Sequence, residues 1–352
     1  MIKNKTLLIL STTEIGLLIS LLYYLKYKQD DYIPCFILLK GEKERFDNLN
    51  LSNLPGEYKI LEDKLQVSIN NQEKKFYSLF KYKNVEEVIF QNPKNFISYS
   101  IINYYNNATS TLISDGLAIF SSLRLKTKIA LIVRLNYHKY INKLKFLPHL
   151  LPSNKSIIKK IDCFIAHKEI KGPSFIHTND IIKFMPDYSE EISKIFSLNI
   201  NLFLDNEIIF FTQPIYIQNS IPKHVQKKYW ATLDKLCLFI LKNNKKMIIK
   251  VHPAEDISLY ENYKNSNVFI DSNKNIPAEI ILSLLSNQII ISMFSSVSLI
   301  EFKNHKNIWL SNLIDYKLKS IDNTSHILIP KKFSEIKNFL LSTKENHNEK
   351  TI

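Results

Sequence analysis

The stretch TLLILSTTEIGLLISLLYYLKYKQDDYIPCFILL, residues 6–39, decides the fold class. It opens on an apolar run, 6–10, and breaks at the polar Ser11-Thr12-Thr13-Glu14. From about Glu14 to Tyr27 the pattern predicts a helix capped by Thr12 or Thr13. YIPCFILL (32–39) reads as a second apolar strand. Strand, helix, strand is the unit from which parallel sheets are built. The polar break also decides against a signal peptide or membrane anchor, because neither apolar piece reaches the ~20 residues needed to span a bilayer. A cytoplasmic protein is expected, with peripheral attachment to the inner membrane as the alternative placement.

The alternation continues outward from this stretch. VEEVIF (85–90) reads as a strand, ISYSIINYY (97–105) as a helix and STLIS (110–114) as a strand. A proline-dotted, loop-like region follows, in which IDCFIAH is one further strand candidate. The pattern then restarts with strands at NEIIFFTQP (206–214), MIIKV (247–251), NVFID (267–271), NQIIISMFSS (287–296) and NIWLS (307–311). Helices fall at 225–241, at PAEIILSLL (277–285), where Pro277 suits a first turn, and at SVSLIEF. The expected architecture is α/β, with two Rossmann-like domains facing a central cleft. Residues 1–150 form the first domain, 151–200 a crossover and 201–352 the second. In such sheets ligands sit beyond the carboxyl ends of the strands.

Composition narrows the function classes. The 352 residues are 45% hydrophobic and 23% charged, the balance of a globular chain with real cores. Only 5 glycines argue against Gly-rich nucleotide loops. The formal net charge of +14 attracts polyanions, whether nucleic acid, anionic membrane or anionic nucleotide substrates. The basic residues are spread along the chain and carry no nucleic-acid signature, so no nucleic-acid partner is expected. Cys35, Cys163 and Cys237 lie in apolar segments without disulfide or zinc spacing and read as small core residues.

Three features lie just past predicted strand ends. In KMIIKVHPAED (246–256), Pro253 forces His252 away from helical angles and holds it extended at the strand tip. Such a histidine can donate a proton to a leaving group, or can simply finish a buried strand. Asp115-Gly116 is either an ordinary turn or the place of a general base. Ser295 and Ser296 either cap a helix or use its free N–H groups to hold a phosphate. Glu279 either binds ribose hydroxyls or is a first-turn carboxylate favoured by the helix dipole. Lys250 steers an anionic donor or, more simply, is a solvated strand-end lysine.

Taken together and in this order, Ser114-Asp115-Gly116, His252-Pro253 and Ser295-Ser296 resemble the motifs of bacterial sialyltransferases of GT-B type. Glycosyltransferase family 52, the lipooligosaccharide sialyltransferases, and the capsular polysialyltransferases are the families in question, and LLILSTTEIGLLISLL is similar to the start of the family 52 fold. The resemblance implies an inverting, metal-independent transfer of sialic acid from CMP-sialic acid to a galactoside or sialoside hydroxyl. It implies Asp115 as base and His252 as donor to the departing phosphate, with Pro253, Glu279, Ser295 and Ser296 around the nucleotide. No cofactor is implied. The implied partners are the nucleotide-sugar donor and the glycan acceptor. A homodimer and peripheral membrane association through the basic surface are compatible with it. Two departures stand out: Ser114 replaces the first acid of the family motif, and Pro214-Ile215-Tyr216 carries no carboxylate where some members have an aspartate. The rivals are another GT-B glycosyl- or glycerophosphotransferase with a UDP or CDP donor, and a non-enzymatic polyanion-binding protein.

Overall fold

The computed structural model describes residues 4–40, 46–62, 73–91, 96–114, 129, 132–133, 136–137, 139–140, 143, 145, 159–166, 171–214, 221–271, 273, 276–293, 295–299, 304–316 and 326–342. The opening stretch folds as its pattern requires. Strand β1 (Lys5–Ser11) leads into helix α1 (Glu14–Tyr27), and β2 (Tyr32–Lys40) returns parallel to β1. Thr13 is the cap: its backbone is extended and its hydroxyl accepts the Gly16 N–H at 3.2 Å.

The chain divides into two compact units, Met1–Leu198 and Asn199–Ile352. In the first unit β1 and β2 are joined by β3 (Glu57–Glu62), β4 (Val85–Phe90), β5 (Thr109–Ile113), β6 (Cys163–Ala166) and β7 (Ser174–His177). All pairings are parallel, in the order β3-β2-β1-β4-β5-β6-β7. Helices α2 (Glu73–Ser78) and α3 (Phe96–Tyr104) precede β4 and β5. One face of this sheet packs Leu8, Leu10, Val88, Phe90, Leu112 and Phe164 with Ile97 and Ile101 of α3.

Of the region 151–200, expected to be a crossover between domains, residues 151–198 belong to the first unit. They supply β6 and β7, then α4 (Thr178–Ile182) and α5 (Ser189–Phe196). The reason is visible in α1. Eleven of its fourteen residues are buried, so it has no solvent face to show. The segment after β7 covers its outer side: Phe184 meets Tyr27 edge-on at 6.1 Å, Lys26 lies over the Phe184 ring, and the Tyr188 hydroxyl donates to the Leu25 carbonyl at 3.1 Å.

The second unit repeats the plan. After α6 (Asn201–Leu204) come β8 (Ile208–Phe211), α7 (Lys223–Lys242), β9 (Met247–Lys250), β10 (Val268–Asp271), α8 (Ala278–Leu284), β11 (Ile289–Ser292), β12 (Lys306–Trp309), β13 (Ile327–Leu328) and α9 (Phe333–Ser342). The sheet is again parallel, ordered β10-β9-β8-β11-β12-β13. Val225, Tyr229, Leu233, Leu236 and Ile240 of α7 recur at helical spacing and pack on one sheet face, with Ile336 and Leu340 of α9. SVSLIEF (296–302), expected to be a helix, is a 3-10 turn over Ser296–Leu299, and its last three residues lie outside the described set. Among the described residues, no helix is long and apolar enough to cross a membrane.

Candidate functional site

Both sheets reverse their strand order at one point, and in a parallel sheet the crevice for a ligand opens there, outside the carboxyl ends. In the first unit this point lies between β1 and β4, and a side chain fills it. The Gln91 amide oxygen accepts the N–H of Thr12, the N–H of Thr13 at 3.1 Å and the Thr12 hydroxyl at 3.1 Å. Its NH2 donates to the Thr13 hydroxyl at 2.9 Å. Gly16 makes room, since a Cβ there would fall on the Gln91 amide. The N–H groups of Thr12, Thr13 and Gly16 are thus used within the chain.

In the second unit the reversal lies between β8 and β11, with β9 on the far side of β8. The register puts Phe211, Lys250 and Ser292 level with one another. The segments that follow, Thr212, His252 and Ser295, therefore leave the sheet at one edge. Two strand spacings, about 10 Å, separate the ends of β9 and β11.

His252 sits just past β9 and opens the turn His252-Pro253-Ala254-Glu255, closed by the Glu255 N–H on the His252 carbonyl at 2.9 Å. Proline is preset for the second position of such a turn. The Ala254 N–H donates to His252 Nδ1 at 3.0 Å, so the neutral ring carries its hydrogen on Nε2. By itself this is local chemistry. His177, at the end of β7, accepts the Asn179 N–H in the same way at 3.2 Å.

What distinguishes His252 is a second layer. Its backbone N–H donates to the Thr212 hydroxyl at 2.8 Å, and that hydroxyl donates to Glu255 Oε2. The Tyr260 hydroxyl donates to Glu255 Oε1 at 2.8 Å. Thr212, Glu255 and Tyr260 are all buried. Burial, followed by the Glu255 charge, raises the Tyr260 hydroxyl well above its ordinary range and keeps it a donor. A buried carboxylate held by two hydroxyls thus locks the turn that presents the imidazole. None of these three was expected to take part. The only sequence signal was Glu255, three residues beyond His252 in the same turn.

The other expected residues fall as follows. Lys250 is not a solvated strand-end lysine: it is buried, paired with Asp271 at 3.0 Å and donates to the Asn273 carbonyl. Strand alternation explains this, because Met247, Ile249 and Val251 face α7 and turn Lys250 to the other side. Burial lowers the pKa of Lys250, and Asp271 opposes the shift. Ser295 takes the capping role: its N–H donates to Ser292 Oγ at 3.1 Å and its Oγ accepts the Val297 N–H at 3.4 Å. The backbone of Ser296 starts the 3-10 turn, and its side chain is outside the described set. Glu279 is half-buried in the first turn of α8, and burial raises its carboxyl above the usual range against the pull of its own N–H. Asp115 and Gly116 lie outside the described residues; Ser114 is buried at the end of β5 and donates its N–H to the Ile165 carbonyl at 2.9 Å.

Among the described residues, no three His, Cys, Asp or Glu side chains gather as metal ligands. Burial pushes the thiols of Cys35 and Cys237 up to about 12, which makes them core groups and not nucleophiles.

No protein-family model matches the chain, and no curated protein matches it in sequence. Solved structures do match in fold. A UDP-N-acetylglucosamine 2-epimerase is 9% identical, covering 98% of this chain and 89% of that one, at a TM-score of 0.50. Glycyrrhiza uralensis UGT73P12, complexed with glycyrrhetinic acid 3-O-monoglucuronide, is 8% identical over 92% of this chain and 81% of that one, also at 0.50. The wall teichoic acid polymerase TagF is 13% identical over 96% and 78%, at 0.48. At these identities the likeness is one of fold, and the fold is the GT-B arrangement of two parallel-sheet, Rossmann-like α/β domains.

Proposed function

We propose that the protein is a GT-B transferase that takes a glycosyl or glycerophosphate group from a UDP- or CDP-linked donor, with the nucleotide bound at the carboxyl edge of the second sheet. The observation that carries this reading is the anchored His252: an imidazole one strand from the strand-order reversal, its Nδ1 bonded to Ala254 and its backbone locked through Thr212 to buried Glu255. Gln91 favours the second sheet, since its side chain fills the first sheet's reversal and takes the Thr12 and Thr13 N–H groups there.

In this reading a nucleotide phosphate lies over the end of β8, about 5 Å from the ends of β9 and β11. His252 Nε2–H donates to the leaving phosphate as charge builds on it. Pro253 fixes the turn, and the Ser295-Ser296 segment borders the phosphate on the β11 side. Glu279, its carboxyl raised by burial, suits hydrogen bonds to ribose hydroxyls better than a cation. The acceptor oxygen attacks the donor's electrophilic centre and the bond to the nucleotide phosphate breaks. The electron pair leaves with the nucleotide, and the acceptor proton passes to a base, for which Asp115 is the candidate. UDP leads the donor panel because one fold neighbour is named for a UDP-sugar.

CMP-sialic acid is the second reading. It rests on the order of Ser114-Asp115-Gly116, His252-Pro253 and Ser295-Ser296 along the chain.

The test is nucleotide release from UDP-, CDP- and CMP-linked donors by the whole protein. His252→Ala should lower the rate ~100-fold or more, while His177→Ala, at the matching local bond in the other unit, should not. Release from CMP-sialic acid alone would favour the second reading. Release unchanged in His252→Ala would overturn both.

A further inference from the structure

On the nucleotide reading above, we propose that the buried pair Lys250–Asp271 positions the ribose side of the nucleotide. It anchors the chain that enters α8, and with it Glu279, to the strand that presents His252. Register places Lys250, the last residue of β9, level with Asp271, the last of β10. Val251 and Val268 face α7, so both charged side chains lie on the other face of the sheet. There they close a ring. Lys250 Nζ meets Asp271 Oδ2 at 3.0 Å and donates to the Asn273 carbonyl. The Asn273 N–H donates to Asp271 Oδ1 at 3.0 Å. The chain just beyond β10 is thereby tied to the end of β9.

Place and chemistry separate this pair from a merely stabilising one. A buried ion pair gains little over apolar residues of the same volume, because both charges leave water. This one stands at the carboxyl edge, where a ligand of such a sheet binds. His252 follows Lys250 by two residues. Glu279 follows Asn273 by six, just past Pro277 at the start of α8. Ile280, Ile281 and Leu282 are buried and hold α8 itself, while the lysine ring holds the segment that leads into it. One ammonium group thus sets the spacing between the imidazole and the Glu279 carboxyl. Lys245 supplies the contrast. Among the described residues it is the one other buried lysine, and it pairs with Glu207 at 3.0 Å. That pair precedes β9 and β8, at the amino edge of the same sheet.

The experiment is calorimetric titration of the whole protein with UDP, CDP and CMP, and with the 2′,3′-dideoxy form of whichever binds. The wild type should prefer the ribonucleotide. Lys250→Met with Asp271→Leu leaves no charge of the pair buried alone. It should weaken the ribonucleotide about tenfold, the worth of one hydrogen bond, and leave the dideoxynucleotide unchanged. Glu279→Ala should weaken the ribonucleotide by the same factor, and adding it to the double variant should cost nothing more. Asp271→Asn, a smaller disturbance, should move the preference in the same direction. Lys245→Met should leave both affinities as they are. A wild type that binds no nucleotide would overturn the nucleotide reading and this proposal together. Wild-type binding that ignores the ribose hydroxyls would overturn this proposal alone. So would the wild-type preference persisting in the double variant or in Asp271→Asn, or a loss shared equally by the ribo- and dideoxynucleotide.

Discussion

Thr212→Val probes the layer that holds His252. Threonine and valine have nearly the same shape, so the substitution removes a hydroxyl and opens no cavity. Two hydrogen bonds go with it: the one Thr212 accepts from the His252 N–H at 2.8 Å and the one it donates to Glu255. A buried amide short of an acceptor costs about 1–3 kcal/mol, and a bond to a charged group contributes about 1.5–3 kcal/mol. Thr212→Val should therefore destabilise the second unit by about 2.5–6 kcal/mol. Tyr260→Phe, which removes one bond to the same carboxylate, should cost about 1.5–3 kcal/mol. The assay is urea unfolding followed by tryptophan emission. The chain has 2 tryptophans, Trp230 and Trp309, and both belong to the second unit. The Trp230 ring also lies tilted against the Tyr260 ring at 5.5 Å between centroids, so its emission reports on this layer directly. In a double-mutant cycle with Glu255→Gln the effects should fall short of additivity by about 0.5–3 kcal/mol, since both changes strike one bond. A Thr212→Val protein within about 0.5 kcal/mol of the wild type, or a strictly additive cycle, would refute the claim that this layer fixes the His252 turn.

Other outcomes follow from the same geometry. Gly16→Ala should destabilise the first unit, because its methyl group meets the Gln91 amide; far-ultraviolet circular dichroism during urea unfolding checks this, and adding Gln91→Ala should recover part of the loss. Lys250→Met should cost about 3–5 kcal/mol by leaving Asp271 buried without its cation, whereas Lys250→Met with Asp271→Leu should be far milder in the same unfolding assay. Glu279 has a carboxyl raised in the folded state, so its ionisation opposes folding: the penalty is absent below the unfolded carboxyl range and grows as pH rises through it toward the folded value. Glu279→Gln should accordingly raise the melting temperature at neutral pH and lose that advantage near pH 4, as scanning calorimetry would show.

The strands that sequence reading missed share one physical feature, although β10, an edge strand too, was found. β1, β2, β8, β9 and β11 are buried on both faces and so appear as unbroken apolar runs. β3, β7 and β13 passed unnoticed, and each is an edge strand. β3 reads EYKILE, with Tyr58 and Ile60 exposed, because one side of an edge strand has no neighbour to demand an apolar residue. The role of 178–188 was hidden for a related reason. Its partner is the outer side of α1, and only the all-apolar surface of that helix hinted that something must cover it. At the site, His252-Pro253 was legible because both residues act within one turn. Thr212 and Tyr260 were not, since they reach Glu255 from another strand and from beyond the turn. Lys250 was misread because a lysine at a strand end is usually solvated, and here the alternation of β9 turns it inward to Asp271.

The most direct test of the account is calorimetric titration of the whole protein with UDP, CDP and CMP, repeated on His252→Ala and His177→Ala. The account predicts that one of these nucleotides binds at a single site, that His252→Ala weakens it about tenfold or more, the loss expected for a bond to a charged phosphate, and that His177→Ala leaves it unchanged. Equal affinity in the wild type and His252→Ala, or no heat with any of the three, would contradict it.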